Sequence, residues 1–219
     1  MVDEEHWVRW HEAYEDPTSF LSRRLSIVQK RLGQMLDRCP RGRIQLISLC
    51  AGQGRDVIGV LADHRRRDDV HALLVELDAR LTDHARSAAH ELGLTAVEIR
   101  QGDASCSSAY AGAVPADIVM ACGVFGNVSD EDIHATVAML PSLMGTGGAV
   151  IWTRHRLEPD LTPSIRAWFE DAGFEEVAFD TEEGTFFGVG THRLEAPALP
   201  FDPNRTMFTF VGDGSGARR

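Results

Sequence analysis

The stretch Leu49-Cys50-Ala51-Gly52-Gln53-Gly54-Arg55-Asp56 closes an apolar run, residues 44–50, that has the pattern of a buried β-strand. Gly52 and Gly54 allow the backbone to turn sharply and to approach a ligand closely. A helical pattern begins at Arg55, and the first N–H groups of a helix have no partner within it. The stretch therefore predicts a ligand-binding turn, with an ordinary strand-to-helix turn as the alternative.

The alternation of strands and helices continues as far as residue 194. The predicted strands are residues 44–50, 72–75, 96–99, 117–122, 149–153, 174–179 and 186–194, with a further short strand at 207–211. Two helices, around residues 7–14 and 20–36, precede them. This order predicts a doubly wound, mostly parallel α/β sheet, which binds ligands beyond the carboxyl ends of its strands.

Acidic residues follow the second and third predicted strands. Glu76 lies roughly 20 residues after the glycine turn, where a carboxylate accepts hydrogen bonds from ribose hydroxyls, although a solvated acid is the alternative. Leu77 and Asp78 follow it, and Asp78 is either a ligand contact or the cap of the next helix. Gly102-Asp103-Ala104 follow the third strand, and Asp103 is a candidate acceptor for an adenine amino group.

The fourth strand is expected beside the first, so its carboxyl end faces the same ligand. Cys122, Gly123 and Val124 form the start of the segment that follows it. Asn127 is a candidate contact to substrate or cofactor, with a simple turn before the helix cap Ser129 as the alternative.

These motifs, in this order, resemble the class I S-adenosylmethionine (SAM)-dependent methyltransferase family. The family's nucleotide loop matches residues 49–56, its ribose acid Glu76 and its adenine-side acid Asp103. The resemblance covers residues 44–194 and implies a seven-stranded sheet with a final antiparallel strand. It also implies that SAM is the cofactor. The cofactor residues it marks are Cys50, Ala51, Gly52, Gly54, Arg55, Asp56, Glu76, Leu77, Asp78, Gly102, Asp103, Ala104, Cys122, Gly123, Val124 and Asn127.

The charge balance bears on the partner. The 219-residue chain has a formal net charge of -11, which disfavours nucleic acid as substrate because a protein needs a basic surface to meet phosphates. SAM is net cationic, so acids near it are expected, with Arg55 or Arg24 as candidate partners for its methionine carboxylate. We expect a small-molecule acceptor, no membrane segment, no metal site, a cytoplasmic location and an oligomeric state that the sequence leaves open.

Candidate catalytic residues lie at the two ends of the expected site. His155 follows the fifth strand, and its ordinary pKa suits proton transfer near neutrality. Tyr14 and His11 lie with two tryptophans on one face of the first helix. We expect residues 1–40 to form a helical lid or cap, residues 41–211 the SAM-binding domain and residues 212–219 a flexible tail. Packing or surface roles are the alternatives for all three side chains.

Two other functions compete with this interpretation. A nicotinamide-dependent oxidoreductase would carry Gly-x-Gly-x-x-Gly/Ala, but Val57 occupies the third glycine position, where close helix–strand packing needs a small residue. A non-catalytic SAM-binding or scaffold protein of the same fold would keep the glycine turn and the acids. Turnover of SAM separates that protein from an enzyme.

Overall fold

The computed structural model describes residues 14, 16 and 18–211. The strands are β1 (Ile44–Leu49), β2 (Val70–Glu76), β3 (Val97–Gln101), β4 (Ala116–Ala121), β5 (Met144–His155), β6 (Phe174–Thr181) and β7 (Phe187–Leu194). The helices are α1 (Phe20–Arg38), α2 (Arg55–Leu61), α3 (Ala79–Glu91), α4 (Asp130–Met139) and α5 (Thr162–Asp171). The strands form one sheet of order β3-β2-β1-β4-β5-β7-β6.

Strand β1 is the centre of this sheet. It pairs in parallel with β2 on one side and with β4 on the other, so Ile47 lies opposite both Leu73 and Val119. All three side chains are at most 2% exposed, as expected for a parallel sheet covered on both faces. The chain's strand order reverses at β1, and this is the point where such sheets bind ligands.

The far edge of the sheet departs from the all-parallel arrangement. Strand β7 lies between β5 and β6 and is antiparallel to both. The predicted seven-stranded, mostly parallel sheet with an antiparallel last strand is therefore confirmed. The order also differs from that of the dinucleotide-binding fold, in which six parallel strands run 3-2-1-4-5-6.

Helix α1 is held against the sheet at both its apolar and its charged faces. Ser19 caps it by accepting a hydrogen bond from the Ser22 N–H. The guanidinium of Arg31 donates to both carboxylate oxygens of Asp180, at 2.5 and 2.6 Å, and thereby ties the helix to β6. Its buried stripe consists of Leu21, Val28, Leu32, Met35 and Leu36.

Two predictions about element boundaries need correction. Strand β5 begins at Met144, five residues before the predicted start, because the chain already pairs with Ala116 there. The strand predicted at residues 207–211 does not form. The chain there instead makes single antiparallel bridges, one from Phe210 to Val128 and one, just before the segment, from Thr206 to Cys106.

A buried aromatic cluster lies under β5 and β7. The indole Nε1 of Trp152 donates a hydrogen bond to Nδ1 of His192 at 3.1 Å, and the His192 ring stacks on Phe169 at a centroid distance of 4.4 Å. The other ring nitrogen of His192 is buried without a hydrogen-bond partner among the described residues. Burial lowers the pKa of His192 to about 4, although the Glu176 carboxylate opposes the shift.

This pKa makes the stability of the fold depend on pH. In the unfolded chain a histidine titrates near its ordinary value, so between that value and about 4 only the unfolded state binds the proton. We expect the free energy of unfolding to fall with falling pH in this window, by up to about 1.4 kcal/mol per pH unit from this group. Denaturant unfolding at several pH values measures it. His192→Asn should lose this part of the slope, with exposed His84→Asn as control; an unchanged slope in His192→Asn contradicts the account.

Candidate functional site

The turn after β1 has a left-handed backbone at three positions. Cys50, Gly52 and Gly54 have φ of 50°, 58° and 68°. At Gly54 an added Cβ would lie 2.8 Å from side-chain atoms of both Ile58 and Leu74, so a larger residue would have to displace them on a left-handed backbone that favours glycine. The turn exposes backbone at the carboxyl end of β1, as the sequence predicts.

Cys50 is the exception, because it carries a side chain in this conformation. A left-handed residue other than glycine costs on the order of 1 kcal/mol, and such strain is concentrated at functional sites. Its thiol borders both cavities described below. Burial, followed by the charges of Glu76 and Asp103, raises the pKa of the Cys50 thiol to about 12, so the thiol stays protonated.

Glu76 joins the turns that follow β1 and β2. One carboxylate oxygen accepts a hydrogen bond from the Gly52 N–H at 2.8 Å, and the other accepts from the Asp78 N–H at 2.9 Å. The Gly102 N–H donates to the Glu76 carbonyl at 2.9 Å and brings in the end of β3. An ionised carboxylate has about four acceptor positions. Glu76 therefore fixes the loops and keeps the capacity to accept two further hydrogen bonds.

The first of two neighbouring cavities, here named the acidic cavity, has a volume of about 710 Å³. Leu77 and Phe210 line it with 65% and 45% of their surface exposed, which gives the cavity apolar surface beside its carboxylates. The lining residues are Cys50, Glu76, Leu77, Asp78, Asp103, Ala104, Ser105, Cys106, Thr206, Phe208, Thr209 and Phe210. A flat ligand with an apolar face and hydroxyl donors suits this lining.

One wall of the acidic cavity comes from the end of the described chain, which sequence reasoning missed. The Met207 N–H donates to the Ser105 carbonyl at 2.8 Å, and the Thr209 N–H donates to the Asp132 carboxylate at 2.9 Å. Phe208 is 1% exposed and packs edge-on against Phe210. The apolar run at residues 207–211, interrupted only by Thr209, was the available signal, but it indicated a strand.

The second cavity, here named the arginine cavity, has a volume of about 380 Å³ and shares Cys50 with the first. Three guanidinium groups and one carboxylate, that of Asp56, lie among its lining residues. These are Tyr14, Arg24, Leu25, Val28, Cys50, Ala51, Gly52, Gln53, Arg55, Asp56, Leu81, Cys122, Gly123, Gly126, Asn127, Thr153, Arg154 and His155. Burial raises the pKa of the Asp56 carboxyl, which favours its neutral form.

Tyr14 lines the arginine cavity beside two of these cations. Its hydroxyl accepts a hydrogen bond from Arg24 at 3.4 Å, and the Arg55 guanidinium lies 5.2 Å from its ring centroid. Burial raises the pKa of the Tyr14 phenol, although Arg24 opposes the shift. The Tyr14 phenol therefore stays protonated near neutral pH.

The ends of β4 and β5 complete this cavity. The Gly123 N–H donates to the Thr153 hydroxyl at 2.8 Å, which ties the two strand ends together. The Asn127 side-chain amide donates to the Gly123 carbonyl at 2.7 Å, so Asn127 closes its own loop as well as lining the cavity. Burial, followed by the Arg154 charge, lowers the pKa of His155, and its imidazole is therefore neutral at pH 7.

The structure brings together all but three of the predicted cofactor residues. Gly54 and Gly102 shape the turns without lining either cavity, and Val124 is wrong as a contact because it is 0% exposed in the core beside Phe125. Asp78 lines the acidic cavity and also caps α3 by accepting from the Arg80 N–H. His11 lies outside the described residues, and the expectation that residues 1–40 form a lid stays a prediction.

Two features are absent from the part of the chain that the structure describes. No helix there is both long and apolar enough to span a bilayer. No group of three or more metal-ligating side chains converges anywhere in residues 14, 16 and 18–211.

Comparison with solved structures defines the class of fold. The chain aligns with magnesium protoporphyrin IX methyltransferase from Synechocystis PCC 6803 with bound SAM at a TM-score of 0.66 and 14% identity, covering 86% of this chain and 91% of that one. It aligns with a TehB-like SAM-dependent methyltransferase from Corynebacterium glutamicum at 0.59 and 19% identity, covering 87% and 97%. The fold is therefore that of the class I SAM-dependent methyltransferases, as the sequence resemblance predicted.

A third similar structure is an O-methyltransferase family protein from Burkholderia thailandensis. Its TM-score is 0.63 at 18% identity, and the alignment covers 80% of this chain but spans only 56% of that protein. No protein-family model and no curated protein matches the chain in sequence. The likeness is therefore one of fold, and the activity has to be argued from the site.

Proposed function

We propose that this chain is a SAM-dependent methyltransferase that acts on a small molecule. The observation that carries the proposal is a pair of cavities that meet at Cys50, at the carboxyl ends of β1 and β2 on one side and β4 on the other. One cavity offers carboxylates and apolar surface, and the other offers cations. SAM has the matching division between its adenosine and its methionine.

The acidic cavity fits the adenosine part. Glu76 keeps acceptor capacity for the two ribose hydroxyls after binding the Gly52 and Asp78 N–H groups. One Asp103 oxygen accepts from the Ser105 N–H at 2.9 Å, which leaves the other for an amino group. Leu77 and Phe210 supply apolar surface for a flat base.

The arginine cavity fits the methionine part. Arg24 and Arg55 both contact Tyr14 and are the candidate partners of a carboxylate. Gly52 has a φ of 58°, and no atom lies within 4 Å of the point that a Cβ would occupy, which leaves the backbone open to a close ligand. Asp56 is the acidic side chain that lines this cavity, and an ammonium or sulfonium group bound beside it would favour its ionised form.

The chemistry requires little of the protein beyond placement. SAM supplies a methyl group bonded to a positively charged sulfur, which makes that carbon ready for attack by a nucleophile. The residues of the arginine cavity then hold the acceptor in line and exclude water, which is the contribution of proximity. If the acceptor enters protonated, a neutral imidazole nitrogen of His155 takes its proton.

The competing functions fit the structure less well. An oxidoreductase that binds a dinucleotide would need a turn that accommodates a pyrophosphate, and Val57 is packed in the core at 0% exposure where that turn needs a small residue. A non-catalytic SAM-binding protein would share both cavities. It differs from an enzyme in releasing no S-adenosylhomocysteine (SAH) with any acceptor.

Calorimetry with purified protein tests the cofactor assignment. SAM and SAH should bind and NAD should not. Glu76→Ala should weaken SAM binding by at least about tenfold, because it removes the acceptor for both ribose hydroxyls and releases the glycine turn. Exposed Glu98→Ala, at β3 outside both cavities, is the matched control. Binding of NAD without SAM overturns the proposed function, and unchanged SAM affinity in a folded Glu76→Ala protein overturns the role of Glu76.

The rate of SAH release in the presence of an acceptor tests the role of His155 as a general base. His155→Gln should lower the rate by at least about tenfold, since general-base catalysis commonly contributes about 10²–10⁴. Because the pKa of His155 is lowered, the proton-accepting form persists to acid pH, so the wild-type rate should be flat near pH 7 and fall only at lower pH. A His155→Gln protein with the wild-type rate and pH profile would show that no base acts here.

A further inference from the structure

The arginine cavity carries more positive charge than the proposed cofactor uses. Arg24, Arg55 and Arg154 line it, and Asp56 is the one carboxylate among its lining residues. No carboxylate among the described residues lies within 4 Å of any of the three guanidinium groups, whereas Arg23, Arg31 and other arginines of this chain are paired. The methionine part of SAM supplies a single carboxylate.

The three arginines form two separate groups. Arg24 and Arg55 share the Tyr14 side chain, one at its hydroxyl and the other over its ring. Arg154 instead leaves the end of β5, beside His155, and one of its terminal nitrogens donates to the Phe125 carbonyl. Arg24 and Arg55 suit the methionine carboxylate. Arg154 then has no anionic group of the cofactor to bind.

Arg154 is a half-buried cation without a counter-ion among the described residues. Its Nε is buried and has no hydrogen-bond partner in that part of the chain. Of the acids nearest to it, Asp160 already accepts from Arg156 at 3.2 Å and from the Thr162 N–H at 2.9 Å, and Asp130 is exposed at the start of α4. Burial lowers the pKa of the Arg154 guanidinium, and the more distant Asp130 and Asp160 only oppose that shift.

A guanidinium in this state is costly to the fold. Burying a charge without pairing it is unfavourable, and so is leaving a buried N–H group without an acceptor. The first cost is removed when an oxyanion binds at the accessible part of the guanidinium, because this planar, charged group presents donors that match a carboxylate. Leu25 and Val28 add apolar surface to the same cavity. The lining therefore fits an organic acid better than an inorganic ion.

We infer that the methyl acceptor is a small organic acid and that Arg154 binds its carboxylate. This inference rests on the proposed function, since it assigns Arg24 and Arg55 to the methionine carboxylate. Arg154 is then the residue that selects acceptors by charge. A neutral analogue would leave Arg154 without a counter-ion, and for this reason it should bind more weakly.

The test uses full-length protein saturated with SAH, so that the methionine carboxylate is already in place. Calorimetric titrations compare benzoate, its neutral analogue benzamide, and inorganic phosphate. Benzoate should bind, and benzamide and phosphate should each bind at least about tenfold more weakly. Arg154→Gln should weaken benzoate binding at least about tenfold and leave SAH affinity unchanged, which also shows that the variant is folded. Arg154→Lys should retain part of the affinity, and Arg193→Gln, at a paired arginine outside the cavity, should retain all of it.

The outcomes separate this inference from the proposed function. If SAH itself fails to bind, the proposed function fails. If SAH binds but benzoate does not, or if benzoate binds equally well to wild type and Arg154→Gln, the assignment of Arg154 is wrong. Loss of benzoate binding in Arg55→Gln but not in Arg154→Gln would likewise overturn it. Tighter binding of phosphate than of benzoate would contradict the organic acid.

Discussion

The Glu76 carboxylate accepts one backbone N–H from the turn after β1 and a second from the turn after β2. Gly52, whose N–H donates to Glu76, lines the arginine cavity, while Glu76 itself lines the acidic cavity. Two of the three left-handed positions in the turn after β1 are glycine, which adopts this conformation without strain. The Glu76 side chain therefore connects a loop residue of the arginine cavity to the acidic cavity.

The distribution of charge follows from the same arrangement. The chain is acidic overall, with a net charge of -11, yet the cavity bounded by β1, β4, β5 and α1 collects three arginines. The charge of this cavity is therefore opposite in sign to the net charge of the chain. The acidic cavity, which we assign to adenosine, contains carboxylates. An elongated ligand of mixed charge such as SAM would therefore meet a complementary lining along its length.

The sequence predicts the part of the site that depends on local chain geometry. Gly52 and Gly54, and the acids Glu76 and Asp103 at the ends of the second and third strands, can be located from the sequence because strand ends and helix starts are local features. Because these strands are parallel neighbours, their pairing alone places the glycines and the acids at the same edge of the sheet. The same local reasoning gave a wrong prediction at Val124. This residue lies in the loop after β4 that borders the site, but it is buried in the core.

The missed residues depend on contacts between distant parts of the chain. Arg154 becomes a candidate for acceptor binding only when β5 is placed beside β4 and the Arg154 Nε is found without a hydrogen-bond partner among the described residues. Phe208 and Phe210 reach the acidic cavity because Thr206 and Phe210 bridge to positions 106 and 128, far earlier in the chain. The short apolar run that contains them predicts a strand equally well, and no local signal distinguishes the two outcomes.

A crystal structure of the protein with bound SAH tests the central claim most directly. We predict that the ribose hydroxyls bind Glu76 in the acidic cavity and that the amino-acid end lies in the arginine cavity near Arg24 and Arg55, with Arg154 left facing open space for an acceptor. SAH bound in the reverse orientation, or outside the two cavities that meet at Cys50, would contradict this claim.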